Sequence, residues 1–169
     1  MYSLNVPLPS AVSALAAELA RELPGARARR RGEHTLVAKR LGTGDRAAFQ
    51  RLSARTRDAL GGAPTFEARV ACVDSFDQPA TGAAPVVYLA VESPGLDALH
   101  ARLCEQFDPV SGIEGDDYTP HVTIARGGSV DAAERLAARD IDPIEWTVTE
   151  LHFWDAERGQ RAGTVSLPA

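Results

Sequence analysis

The sequence is short of the residues from which several familiar sites are made. Among its 169 residues are two cysteines, Cys72 and Cys104, at a separation that matches no zinc site and no CxxC motif. Each sits among apolar neighbours, which reads as two buried free thiols in a reducing, cytoplasmic setting. No apolar run approaches the roughly 18 residues needed to cross a bilayer. The N-terminal Met-Tyr-Ser-Leu-Asn-Val-Pro-Leu-Pro has no basic stretch before an apolar one, so neither a signal peptide nor a membrane partner is expected. A P-loop, a glycine-rich dinucleotide fingerprint, an HExxH pair and a GxSxG elbow are all missing, which removes the commonest nucleotide-binding and hydrolase signatures. Positive charge is scarce as well. The chain has 23 acidic against 18 basic residues, a net charge of -5 and a pI of about 5.4. That excludes an extended, nonspecific nucleic-acid footprint but not a site for one small phosphate. Lys39 is the only lysine; every other basic residue is arginine, whose planar fork matches phosphate.

What is present reads as one pattern used twice. Hydrophobic residues are 44% of the chain, ordinary for a soluble globular domain. Tyr2 to Leu8 reads as a strand, and Ser10 as the N-cap of a helix carrying Val12, Leu15, Ala16, Leu19 and Leu23 at helical spacing. An arginine-rich loop leads to a β-like run from His34 to Leu41, followed by a helix from about Asp45 to Leu60 and a strand from Phe66 to Val73. The order then recurs. Val86 to Val91 reads as a strand, and Ser93-Pro94 opens a helix with Leu96, Leu99, Leu103 and Phe107 on its buried side. Tyr118 to Arg126 is another strand, Ser129 caps a helix to about Arg139, and Trp146 to Trp154 and Ala162 to Leu167 are strands. A single domain over 1–169 is expected, with one lobe at about 1–80 and a second at about 81–169. Each lobe carries a histidine-bearing strand, so the two histidines would face one cleft.

Two such histidines can serve as base and acid on either side of a reacting centre. A threonine two residues after a strand histidine shares its face, because the side-chain period of a strand is two. His121 and Thr123 have that spacing, which suits metal-free phosphoester chemistry.

The string Tyr118-Thr-Pro-His121-Val-Thr123-Ile-Ala-Arg126 resembles the second HxTx motif of the 2H phosphoesterases. That superfamily includes the RNA 2',3'-cyclic phosphodiesterases historically called 2'-5' RNA ligases. The run His34-Thr35-Leu36-Val37-Ala38-Lys39-Arg40-Leu41-Gly42 is similar to the first motif, a strand ending in Leu-Gly. The resemblance covers nearly the whole chain. It implies an α+β, bilobal, duplicated fold: two antiparallel sheets forming a central groove, with helices outside. It also implies hydrolysis of a 2',3'-cyclic phosphate at an RNA or nucleotide end to a 2'-phosphate, with His34 and His121 as the catalytic pair. Thr123, Thr35 and Arg126 would bind the phosphate, and Tyr118, Lys39 and Arg40 are further candidate substrate contacts. No metal and no cofactor is called for. RNA 3' ends or small cyclic nucleotides are the expected partners of a monomer.

The first motif departs from the pattern. Thr35 stands one residue after His34, not two, and on a regular strand would face away from it. Counting back from Leu41-Gly42 puts Thr35 in the histidine's place and Val37 in the threonine's. Three possibilities follow: a β-bulge that returns His34 to the cleft, a His34 that works without its hydroxyl partner, or a lost first site. The alternative functions follow from these. One is an RNA-end or nucleotide-binding protein with a degenerate first motif; the other is an enzyme for another phosphoester, such as a 2'-5' linkage or an ADP-ribose cyclic phosphate. Elsewhere, His100 reads as a helix-edge residue and His152 as a sheet residue. Arg27, Arg29, Arg30 and Arg31 read as a solvated loop or a phosphate-attracting rim.

Overall fold

The computed structural model describes residues 1–168. Nine strands and four α-helices alternate in the order β1 (Tyr2–Val6), α1 (Ser10–Leu19), β2 (Arg27–Ala28), β3 (Leu36–Gly42), α2 (Arg46–Ala59), β4 (Phe66–Phe76), β5 (Val86–Glu92), α3 (Pro94–Cys104), β6 (His121–Arg126), α4 (Val130–Ala137), β7 (Ile144–Val148), β8 (Glu150–Asp155) and β9 (Gln160–Ser166). They form two antiparallel sheets, a four-stranded one in the order β3-β1-β8-β9 and a five-stranded one in the order β2-β6-β5-β4-β7. The fold is α+β, as the element pattern implies. Among the described residues no helix is long and apolar enough to cross a membrane.

Helix starts follow local chemistry. Asp45, Ser93 and Ser129 each accept a backbone N–H three residues on, which satisfies one of the free donors of the first turn. At α1 the sequence reading is corrected: Pro9 holds the cap position, Ser10 is already helical, and no side chain caps the turn. Val12, Ala16 and Leu19 of α1 and Leu96, Leu99 and Leu103 of α3 are buried. They meet Leu4, Leu36, Val122 and Ile124 from the sheets in one continuous core.

The connections cross over. β1 and β3 belong to the four-stranded sheet, but β4, next in sequence, joins β5 in the other sheet. Likewise β5 and β6 lie in the five-stranded sheet while β8 pairs with β1. Helices cross too, α1 packing on β6 and α3 on β3. Each sheet therefore draws strands from both halves of the chain. The single strand expected over Trp146 to Trp154 is two, interrupted at Thr149, where the chain leaves one sheet for the other.

Candidate active site

The groove between β3 and β6 is a cavity of about 230 Å³. His121 and Thr123 line it from β6, while Val122 and Ile124, between and after them, are fully buried in the core. Alternation on a regular strand produces that division. The Nδ1 of His121 lies 2.6 Å from the carbonyl oxygen of Thr119. A carbonyl only accepts, so Nδ1 carries the proton and the neutral ring keeps its lone pair on Nε2. Phe76 and Tyr88 stack at 4.2 Å, and the imidazole meets both edge-on, at 5.3 and 5.2 Å. Burial holds the His121 pKa below the ordinary histidine value. The Thr119 carbonyl opposes that shift, and the positive charges of Arg40 and Arg126 reinforce it. The ring is thus neutral at pH 7, the form a general base requires.

Across the groove the first motif appears in an altered form. Thr35 and Val37 line the cavity, whereas Leu36 and Ala38 are fully buried in the core. His34 has the parity of Leu36 and Ala38. It lies outside the groove lining, is 9% exposed, and neither ring nitrogen has a hydrogen-bond partner. Burial lowers its pKa, Glu33 opposing and Arg29 assisting. The groove residue at the first histidine's place is therefore Thr35, and no bulge returns His34 to the cavity. Irregular pairing between β1 and β3 does occur, but further along, beyond Asn5–Val37.

Lys39 is a second correction. A substrate-contacting lysine needs an exposed ammonium, but this side chain is fully buried. It donates to Glu114 and to the carbonyl oxygens of Arg40 and Asp108. Glu114 also accepts from the backbone N–H groups of Arg40 and Val110 and lies 3.4 Å from the Arg40 guanidinium. Burial pushes the Glu114 carboxyl up, but the Lys39 and backbone hydrogen bonds outweigh it and leave the pKa lowered.

Arg40, Tyr118 and Arg126 do line the groove. The Tyr118 hydroxyl donates to the Val37 carbonyl at 2.8 Å, and its ring stacks on His100 at 3.7 Å, so it is tied into the wall. His100 is buried, not at a helix edge. Its Nδ1 lies 2.8 Å from Ala38 O, and its Nε2 accepts from the N–H of Gly115. Tyr118, His100 and Glu114 together fasten the 108–118 loop to β3. His152 pairs with Asn5, as Val37 does, so it shares the sheet face; it bonds to Glu150 away from the cavity.

The sequence reading missed Glu114, Phe76, Tyr88 and the loop residues Gln78 to Thr81. A partial signal existed for Phe76 and Tyr88. Both stand in or beside β-like runs that read as strands, but nothing local indicates that β5 lies beside β6. Among the described residues no cluster of three or more His, Cys, Asp and Glu side chains converges as a metal site would.

A groove between two antiparallel sheets, drawn from both halves of the chain and carrying an HxT strand on one wall, fits a 2H-type phosphoesterase fold. The chain belongs to the 2'-5' RNA ligase superfamily, whose family model matches residues 8–160. Its fold is similar to that of TT0787 of Thermus thermophilus, with a TM-score of 0.66 and 20% identity over 98% of this chain and 97% of that one. E. coli LigT complexed with 3'-AMP gives 0.66 and 20% over 99% and 98%. LigT complexed with NADP+ gives 0.68 and 19% over 99% and 97%. No curated protein sequence matches the chain.

Proposed function

We propose that this groove binds the phosphorylated end of a nucleotide or RNA and carries only one of the two histidines of a 2H hydrolase. The observation behind this reading is the contrast between the walls: His121 and Thr123 on one, Thr35 and Val37 on the other. The Thr123 and Thr35 hydroxyls would hold non-bridging oxygens, and the Arg40 guanidinium would add charge-assisted hydrogen bonds. The Nε2 of His121 would accept a proton from water or from a ribose hydroxyl. That 3'-AMP, NADP+ and ATP are bound in structures of LigT supports a nucleotide as the ligand class.

Opening a 2',3'-cyclic phosphate to a 2'-phosphate, the reaction that the family resemblance implies, asks more. One group must take a proton from water while another gives one to the leaving 3'-oxygen. Water attacks the phosphorus, the P–O3' bond breaks, and the proton lost at one side is supplied at the other. His121 fills one role. A positioned acid or base contributes about 10²–10⁴ in rate, so the missing partner makes turnover slow by that factor. The test is to rebuild it. In the double variant Thr35→His with Val37→Thr, hydrolysis of a 2',3'-cyclic mononucleotide, followed by phosphorus NMR, should rise about 10²-fold or more over wild type. A wild-type rate that falls on His34→Ala while His121→Ala leaves it unchanged would overturn the reading.

A further inference from the structure

Arg126 ends β6, five residues after His121, and Arg29 follows β2, the short strand paired with the end of β6. The Arg29 N–H bonds to the Ile124 carbonyl at 2.8 Å, and both arginines line the groove. Two like charges gathered in a cavity repel, and an anion relieves the repulsion. Among the described residues neither Arg29 nor Arg126 forms an ion pair, although acidic residues outnumber basic ones; Glu33 feels the charge of Arg29 but lies outside the groove lining. Burial, and then the charge of Arg29, lowers the pKa of the Arg126 guanidinium.

Arg126 is also held in place. Its Nη1 donates to the Thr81 carbonyl at 2.7 Å. Gly82, at φ +82°, brings its loop so close that a Cβ there would stand 3.0 Å from Nη1. A guanidinium fixed at one nitrogen offers its remaining N–H donors without further ordering cost, as a phosphate site requires. At about 3.3 Å per residue the Cα of Arg126 lies about 16 Å along β6 from that of His121, and about 10 Å from that of Thr123. One phosphate does not span that distance; a nucleoside with a phosphate at each end does.

We infer that Arg29 and Arg126 form a second phosphate subsite, which takes the phosphate on the 5' side of the nucleoside whose 2' or 3' phosphate lies at His121. The inference rests on the nucleotide-end reading above and narrows it. The ligand is a nucleotide end with two phosphates, as in an oligonucleotide terminus or a nucleoside bisphosphate. A nucleoside monophosphate fills only half the site.

The test is calorimetric titration of the full chain with adenosine 2'-monophosphate and with adenosine 2',5'-bisphosphate. The bisphosphate should bind about tenfold tighter or more, the worth of one charge-assisted phosphate contact. Arg29→Gln, at an exposed position, should remove most of that advantage, and Arg126→Lys, which keeps the charge but loses the fork, should remove part of it. Equal affinities in the wild type, or an advantage that survives Arg29→Gln, would overturn the subsite while leaving the nucleotide-end reading intact. Failure of both nucleotides to bind would overturn the subsite and the nucleotide-end reading together.

Discussion

His34 shows how one position of register decides the role of a residue. With the parity of Leu36 and Ala38, its imidazole enters the core wall with both nitrogens unpartnered. An unpaired buried polar group costs about 1–3 kcal/mol. His34→Leu should therefore raise the unfolding free energy by about 1–2 kcal/mol at neutral pH in urea denaturation. Proton linkage adds a second signature. Since burial lowers the folded pKa of His34, the unfolded chain takes the proton first as pH falls below about 6.5. Wild-type stability is complete above that pH and declines below it until the folded pKa is passed, so the gap between wild type and variant should widen on acidification. A variant less stable than wild type at every pH would contradict this account. The register was only half legible in the sequence: counting back from Leu41-Gly42 gives Thr35 and Val37 the groove positions, but the histidine itself drew the catalytic assignment to His34, and a bulge that would have rescued it could not be told from the residues. His121 and Thr123 were legible from alternation and from the string around them. Lys39 was not: its partner Glu114 lies 75 residues away, and a lone lysine in a strand carries no sign of a buried carboxylate.

At the scale of elements, the β3 strand and the 108–118 loop are held as one piece by a carboxylate that no local pattern announces. Glu114 has no exposed side-chain surface and serves Lys39, Arg40 and the N–H of Val110 at once. Removing one partner of a buried pair costs far more than the pair contributes, because the remaining charge stays in the dry interior. Glu114→Ala should lower stability by about 3–5 kcal/mol. Combining Lys39→Met with Glu114→Gln should recover most of that loss, since the amide oxygen still accepts from the backbone and no charge remains buried. Equilibrium unfolding of Glu114→Gln alone distinguishes this from a simple cavity effect: the amide refills the space but leaves the Lys39 charge buried without its carboxylate, so the single variant should stay destabilised until Lys39→Met is added. The helices and most strands were legible in the sequence because their apolar spacing is regular and their caps are standard. The break at Thr149 was not, because β7 and β8 both alternate and no glycine or proline separates them; the partner strands, far apart in sequence, decide where the chain changes sheet.

For the molecule as a whole, the proposed phosphate ligand has to be squared with a net charge of -5. Arg29, Arg40 and Arg126 line the groove, and Asp117 is the one acidic residue among its lining. The positive field is therefore local, and its footprint is short. Single-stranded nucleic acid releases counterions with a slope of about -0.7 per phosphate neutralised. Binding of an RNA end should follow a slope of about -0.7 to -1.4 in log affinity against log salt, and lengthening the oligonucleotide should not steepen it. A slope that grows with length, measured by fluorescence anisotropy on labelled oligomers, would reveal a wider binding surface than the groove.

The exchange of strands between the halves has a consequence for how such a chain could begin. A half-length ancestor with the order β1, α1, β3, α2, β4 has nowhere of its own to lay the last strand, because β4 completes the sheet built on β5 and β6. Only a second copy could supply the missing position, so the ancestor would have been a pair of chains with strands swapped between them. Its groove would then have carried two identical walls. Fusing the copies into one chain ends that identity, because each wall is then encoded separately. Thr35 and His121, at matching places on opposite walls, would then have been free to drift apart.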